Sequence, residues 1–127
     1  MSNPVGWFEI YVQDMPRARA FYEAVFQQPL SPLASPGEEF DDMEMLAFAM
    51  DMTASGASGA LVRMAGFSSG DNSVIVYFSC EDVAVEAARV VPAGGIVVKD
   101  KMSIGPYGFI ALVTDTEGNM IGLHSQK

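Results

Sequence analysis

Apolar positions along the chain follow two patterns, and both patterns occur in each half. Residues 5–13 and 73–80 are rich in β-branched and aromatic residues, which is typical of strands. Residues 16–27 and 83–91 place their apolar side chains three and four positions apart, so that these side chains share one side of a helix. Each half is therefore predicted to begin with a strand that is followed by a helix.

The two strand–helix units align with each other. Asp14 and Asp82 each precede a helix, at the position where a side-chain oxygen commonly caps the first turn. When these two residues are matched, Glu9 falls opposite Tyr77 in the preceding strands. The offset is about half the chain, and self-similarity at one fixed offset indicates a repeated unit.

Further strands are predicted after each helix. They span 43–51 and 58–64 in the first half, and 96–103, 108–114 and 120–125 in the second. Proline, serine and acidic residues predict a loop over 31–41, although the strand that the first half lacks could lie within it. Residues 65–72 are the predicted linker. The expected fold class is α+β, with one domain, 1–127, made of two repeats, about 4–64 and 72–126.

Composition fits a folded domain and excludes some partners. The chain has 127 residues, of which 50% are hydrophobic, so it can bury a sizeable core. Its formal net charge is −9, and it has no cluster of basic residues such as phosphate backbones and anionic membranes require. No apolar run reaches the roughly 18 residues of a transmembrane helix. We therefore expect neither nucleic acid nor a membrane as a partner.

Cysteine usage and the first residues predict a cytoplasmic protein. Cys80 is the single cysteine, so no intrachain disulfide can form. It lies in an apolar strand, where a small core residue is expected rather than a nucleophile. Residues 1–4 have neither the positive charge nor the apolar run of a signal peptide.

Three segments resemble one known superfamily, the vicinal-oxygen-chelate proteins, which include glyoxalases, bleomycin resistance proteins and dioxygenases. Residues 8–22, which begin Phe-Glu-Ile-Tyr-Val-Gln-Asp, resemble its first strand and helix. Glu-Asp-Val at 81–83 resembles the start of its second module, and Asp-Thr-Glu-Gly-Asn-Met-Ile-Gly-Leu at 115–123 resembles its closing hairpin. The chain is most similar to the short bacterial glyoxalase-like branch. The resemblance implies two βαβββ modules whose curved mixed sheets enclose a cleft, usually in a homodimer.

The resemblance also implies where a metal would lie. Metal-dependent members hold one divalent ion with His or Glu side chains from matching strands of both modules. Those positions match Glu9, Tyr77, Gly122 and a residue near Leu61 or Val62. Only Glu9 suits a metal, because tyrosine is a poor ligand near neutral pH and the others carry no ligand. We therefore expect no metal and no other cofactor.

The histidine count supports this expectation. His124 is the single histidine, so one chain cannot form a site of two histidines and one carboxylate. Two alternatives stay open: a site shared across a dimer, and a site built from the acidic residues of 38–44. The acidic residues are more simply explained as a solvated loop.

Strand alternation predicts which side chains line the cleft. Trp7, Glu9 and Tyr11 share one face of their strand, and the other face should pack on the helix. With the matching strands of the second half, the candidate ligand-binding residues are Trp7, Glu9, Tyr11, Tyr77 and His124. In strand 43–51 the lining set could be Met43, Met45 and Ala47, or the larger set that we prefer, Glu44, Leu46, Phe48 and Met50.

Three functions are compatible with this cleft. The first is binding of a small molecule without the usual metal. The second is a lyase or isomerase in which Glu9 acts as general base or metal ligand, so Glu9 is the candidate catalytic residue. The third is an interaction module without catalysis. A homodimer is expected in each case, because open sheets leave edges and apolar surface to cover. A shared cleft could bring His124 of one chain near the partner's Glu9.

Overall fold

Each half of the chain folds into one helix and one four-stranded mixed sheet. The computed structural model describes residues 3–34 and 42–127. The first half contains β1 (Phe8–Tyr11), α1 (Met15–Phe26), β2 (Ser31–Leu33), β3 (Glu44–Ala47) and β4 (Gly59–Arg63). The second contains β5 (Tyr77–Ser79), α2 (Val83–Val90), β6 (Ile96–Ser103), β7 (Phe109–Thr114) and β8 (Met120–Ser125). The α+β class and the βαβββ plan of each half are confirmed.

The two sheets have the same topology. Their strand orders are β1-β4-β3-β2 and β5-β8-β7-β6. The first strand of each half is an edge strand that pairs in parallel with the last strand, while the other pairs are antiparallel. Both sheets are therefore open, as the duplication predicts.

The predicted loop over 31–41 is wrong at its start. Ser31–Leu33 forms β2, which pairs with β3 at the edge of the first sheet. This is the strand that the first half lacked in the sequence. Pro32 hid it, because proline has no N–H to donate and is tolerated only at such an edge. Residues 35–41, with most of the acidic loop, lie outside the described residues.

Both helices begin where the sequence predicts. The Asp14 carboxylate accepts a hydrogen bond from the backbone N–H of Arg17 (3.1 Å), and the Asp82 carboxylate accepts one from Ala84 (3.0 Å). Gln27 ends α1 in the left-handed conformation, just before Pro29. In the described part of the chain, neither helix combines the length and apolar character needed to cross a membrane.

One hydrophobic core lies between the helices and the inner faces of both sheets. Ile10 and Val12 are buried there, as predicted, and Ile121 and Leu123 meet them from the second half. Cys80 packs against the same core, which confirms its predicted role as a small core residue. The two halves therefore share one core.

The preferred lining set of the third strand is wrong. Leu46 belongs to the helix-side core, and the ring of Phe48 lies 5.5 Å from that of Tyr22 in α1. Met45 is on the opposite face, in a small cluster with Val62 and Tyr11. The space between the helix and the sheet must be filled by side chains, whereas the open face borders solvent. The larger side chains therefore face the helix.

Buried polar contacts tie the two halves together. The hydroxyl of Tyr22 in α1 donates to the Asp115 carboxylate in the β7–β8 turn at 2.7 Å, and both residues are buried. In the same turn, Glu117 forms an ion pair with Arg17 at 2.7 Å. Asn119 donates to the carbonyl oxygen of Tyr11 at 3.0 Å. The closing hairpin thus holds the first strand and helix in place.

Candidate functional site

Glu9 lies on the open face of β1 between two aromatic side chains. The indole N–H of Trp7 donates to one carboxylate oxygen at 3.3 Å, and the hydroxyl of Tyr11 donates to the other at 2.8 Å. These three residues therefore share one face, as the alternation predicts. Glu9 is exposed, and both hydrogen bonds come from side chains two residues away along the chain.

Tyr11 is held as a hydrogen-bond donor. Burial raises the pKa of its hydroxyl, and the hydrogen bond to Glu9 and the negative charge of that carboxylate raise it further. Its ring also stacks on that of Phe67, with centroids 5.2 Å apart. The hydroxyl therefore stays protonated at neutral pH, and the aromatic wall beside Glu9 has a fixed orientation.

Tyr77 presents a second aromatic surface on the other sheet. It pairs with Gly122 in the β5–β8 ladder, and its ring lies directly over that glycine. A Cβ atom at Gly122 would lie 2.3 Å from two carbon atoms of the ring, so the glycine is what admits the ring. The side chain is 47% exposed, and it therefore offers a ring face to solvent or to a ligand.

An open pocket lies beside Glu9 where the two halves meet. It has a volume of about 210 Å³, and it contains Glu9 and Tyr11 but not Trp7, Tyr77 or His124. Its other walls come from β1, from the linker and the residues between it and β5, and from the start of β8: Ile10, Ser68, Gly70, Asn72, Val74, Val76, Asn119, Met120 and Ile121.

No functional signal marks the linker residues in the sequence, because Ser, Gly and Asn are ordinary loop residues. In the structure the linker is fixed: the Asn119 side chain accepts from the Gly70 N–H at 2.7 Å, and the Ser69 hydroxyl donates to the Tyr11 carbonyl at 2.6 Å.

His124 shares the open face of β8 with Gly122 but is engaged elsewhere. Its Nε2 atom lies 2.7 Å from the carbonyl oxygen of Tyr107, in the 3-10 turn Gly105–Tyr107. Tyr107 itself is exposed. Of the predicted ligand-binding set, Trp7, Glu9 and Tyr11 therefore contact one another, while His124 contacts the 3-10 turn instead.

A sequence model of the Glyoxalase/Bleomycin resistance protein/Dioxygenase superfamily matches residues 5–123. The chain belongs to this superfamily. A search of curated proteins found no match.

Solved structures of the superfamily share the fold along nearly the whole chain. Glyoxalase I from Zea mays is 19% identical with a TM-score of 0.73, and the match covers 97% of this chain and 46% of the maize chain. The chain thus spans about half the length of that enzyme. TnmS3, an antibiotic binding protein from Streptomyces sp. CB03234, is 28% identical with a TM-score of 0.64, and the match covers 98% of this chain and 97% of TnmS3. A hypothetical protein from S. aureus is 18% identical with a TM-score of 0.68, over 98% and 95% of the two chains.

Strand pairing shows which residues of the two sheets correspond. Glu9 pairs with Ala60 in the first sheet, just as Tyr77 pairs with Gly122 in the second. Ala60, one residue before the predicted Leu61, is therefore the counterpart of Gly122 in the first sheet. Within residues 3–34 and 42–127, no group of three or more His, Cys, Asp or Glu side chains is placed to hold a metal ion.

Proposed function

We propose that this chain binds a small aromatic molecule in the superfamily cleft without the divalent metal of the catalytic members. The observation that carries the proposal is the Tyr77 ring over Gly122. Glycine brings no ligating side chain to position 122, and the Tyr77 ring fills the space above it with an apolar face instead. Of the four metal-ligand positions only Glu9 has a suitable donor, so the residues present do not fit a metal ion.

The open face suits a planar ligand with a hydrogen-bond donor. Trp7 and Tyr77 are 38% and 47% exposed, so both rings have a face available to a ligand. Aromatic rings favour stacked partners, and the exposed Glu9 carboxylate beside the Trp7 ring can accept a hydrogen bond from a ligand. The formal charge of −9 favours neutral or cationic ligands over anionic ones.

Glu9 supports binding better than general-base catalysis. Both of its oxygens already accept hydrogen bonds, from Trp7 and Tyr11. These two donors stabilise the carboxylate and orient it, which suits recognition of a ligand. A lyase or isomerase with Glu9 as base is the alternative, and an activity that survives the substitution Glu9→Gln would exclude that role. The likeness to TnmS3, described as an antibiotic binding protein, also supports binding.

Metal content tests the absence of a cofactor. After dialysis without chelator, the purified protein should contain far less than one equivalent of zinc, nickel, manganese or magnesium. Addition of these ions should leave the melting temperatures of the wild type and of Glu9→Gln unchanged, because neither protein binds them. Binding would be detected readily, since a ligand at 100 times its Kd stabilises the folded state by about 2.7 kcal/mol. A stoichiometric ion that stabilises the wild type alone would overturn the proposal.

We also infer that the cleft is completed in a homodimer. The pocket of one chain, about 210 Å³, is smaller than the roughly 300–1,000 Å³ of most ligand sites. Large apolar side chains on the second sheet stay exposed, including Tyr77, Ile96, Val98 and Met102. A twofold dimer would cover this surface and enlarge the pocket, and it could place the partner's His124 near Glu9.

Light scattering at micromolar concentration tests this assembly. The expected mass is about twice the 13.6 kDa of one chain. Val98→Asp should shift the mass toward that of one chain, because a charge on a buried apolar interface is costly. Lys99→Gln, one residue away on the same exposed strand, changes the net charge by the same one unit and is the control for charge alone. A wild-type mass near 13.6 kDa would contradict the inference.

A further inference from the structure

A second pocket opens on the helix side of the sheets, away from Glu9 and Tyr77. It has a volume of about 430 Å³, and four phenylalanine rings line it: Phe8, Phe26, Phe48 and Phe78. Side chains alternate along a strand, so Phe8 and Phe78 lie on the opposite faces of β1 and β5 from Glu9 and Tyr77. We call this cavity the phenylalanine pocket, and it is distinct from the cleft described above.

The four rings form one connected aromatic surface. Phe78 is at its centre, with ring centroids 4.5 Å from Phe26, 5.3 Å from Phe48 and 5.8 Å from Phe8. All four side chains are only partly buried, although they adjoin the core. The pocket therefore presents ring faces and edges to whatever enters it, and such faces attract cations as well as apolar groups.

Glu86 supplies an unpaired acceptor at the same pocket. It projects from α2 and lines the pocket together with Glu81. Among the residues that the structure describes, Oε1 of Glu86 is the one buried side-chain oxygen or nitrogen without a hydrogen-bond partner. A buried acceptor without a donor is costly, and more so when it carries charge. A function for Glu86 would account for this cost.

Cys80, beside Glu86, does not supply a reactive group. Burial raises the pKa of its thiol to about 12, and the negative charge and the close approach of the Glu86 carboxylate act in the same direction. The thiol donates to the Phe78 carbonyl oxygen at 3.6 Å. The pocket is therefore suited to binding and not to thiolate chemistry.

We propose that the phenylalanine pocket binds a small organic cation, namely a primary ammonium group carried on an aromatic or alkyl body. The ammonium group pairs with the Glu86 carboxylate at the pocket wall, and the apolar body packs on the phenylalanine rings. The acidic rim residue Glu81 and the net charge of −9 add long-range attraction. This site is independent of the cleft proposed above, so either assignment can fail without the other.

The test uses 2-phenylethylammonium as the probe and amide chemical shifts of the ¹⁵N-labelled full chain as the signal. Saturable shifts should centre on Cys80, Glu81 and Glu86, with a Kd of about 1 mM or tighter, which is modest but measurable for so small a ligand. Glu86→Gln should weaken binding at least tenfold. Glu81→Gln, which removes an exposed carboxylate at the same pocket, should change the Kd by no more than about threefold because water and salt screen that charge.

A neutral probe of the same shape separates charge recognition from simple apolar binding. 2-Phenylethanol should bind the wild type at least tenfold more weakly than the cation does. Its Kd should be the same for the wild type and for Glu86→Gln. Any of three results would overturn the proposal: equal binding of both probes, chemical-shift changes centred on Glu9 and Met120, or no saturable shift. The shift pattern of the wild type decides this even if a variant folds poorly.

Discussion

Replacement of Glu117 by glutamine should lower the free energy of unfolding by about 3 kcal/mol at neutral pH. The Glu117 side chain is fully buried and accepts hydrogen bonds from Arg17, from the backbone N–H groups of Gln13 and Asp14, and from Thr116. A glutamine of the same shape loses the charge and turns an N–H₂ group toward these donors. Chemical denaturation of wild type and variant measures the difference.

The Glu117 carboxylate should also make the free energy of unfolding depend on pH in the acidic range. Burial alone would raise the pKa of Glu117, but the hydrogen bonds from Arg17, Asp14 and Gln13 outweigh it and lower the pKa to about 2. The folded-state pKa thus lies below the ordinary value of 4.5, so the stabilisation is complete above about pH 5 and is lost as the pH falls from 4.5 toward 2. The difference between wild type and Glu117→Gln should shrink over that range.

Glu81→Gln is the control for this prediction. Its carboxylate is 89% exposed and lies 3.8 Å from the Lys127 amine, so its loss should change stability by less than about 0.5 kcal/mol. A Glu117→Gln variant as stable as Glu81→Gln at pH 7 would contradict the role of Glu117 in joining the closing hairpin to α1.

Gly59→Ala should destabilise the fold by about 3 kcal/mol, while Gly122→Ala should cost about 1 kcal/mol. Both glycines pair with the first strand of their half, and a Cβ atom at either would meet an atom at 2.3 Å. At Gly59 that atom is the backbone carbonyl oxygen of Phe8, so β1 would have to move. At Gly122 it belongs to the half-exposed ring of Tyr77, which can rotate away.

Unfolding by urea and near-ultraviolet circular dichroism test this pair of variants together. Gly122→Ala should keep most of its stability but change the tyrosine signal, because the Tyr77 ring is displaced from the open face. Equal stability losses in the two variants would show that the ring over Gly122 is as immovable as the backbone of β1.

Periodicity predicted the elements that repeat and the face on which Glu9 lies. Only one assignment of faces is possible for the strand that contains Trp7, Glu9 and Tyr11, because the alternating Ile10 and Val12 must face the helix. For strand 44–47 two assignments of faces are possible, because Met45 and Leu46 are both buried and lie on opposite faces. Alternation divides such a strand into two sets of side chains but does not say which set faces the helix.

The pocket walls were missed for a different reason. Ser68, Gly70 and Asn72 line the pocket beside Glu9 only because Asn119, far along the chain, fixes the linker there. The phenylalanine pocket likewise depends on Phe26 and Phe78 meeting across the two halves. Contacts between distant segments leave no local pattern in a sequence, whereas caps such as Asp14 and Asp82 do.

Trp7 is the single tryptophan of the chain, so its fluorescence reports on the cleft directly. The decisive measurement is a titration with acridine, a planar aromatic molecule whose absorption overlaps tryptophan emission, with and without added zinc, manganese or magnesium. Metal-independent binding predicts saturable quenching with one Kd in all conditions, and Tyr77→Ala should raise that Kd at least tenfold. Quenching that requires a divalent ion, that does not depend on Tyr77, or that never saturates would contradict the account.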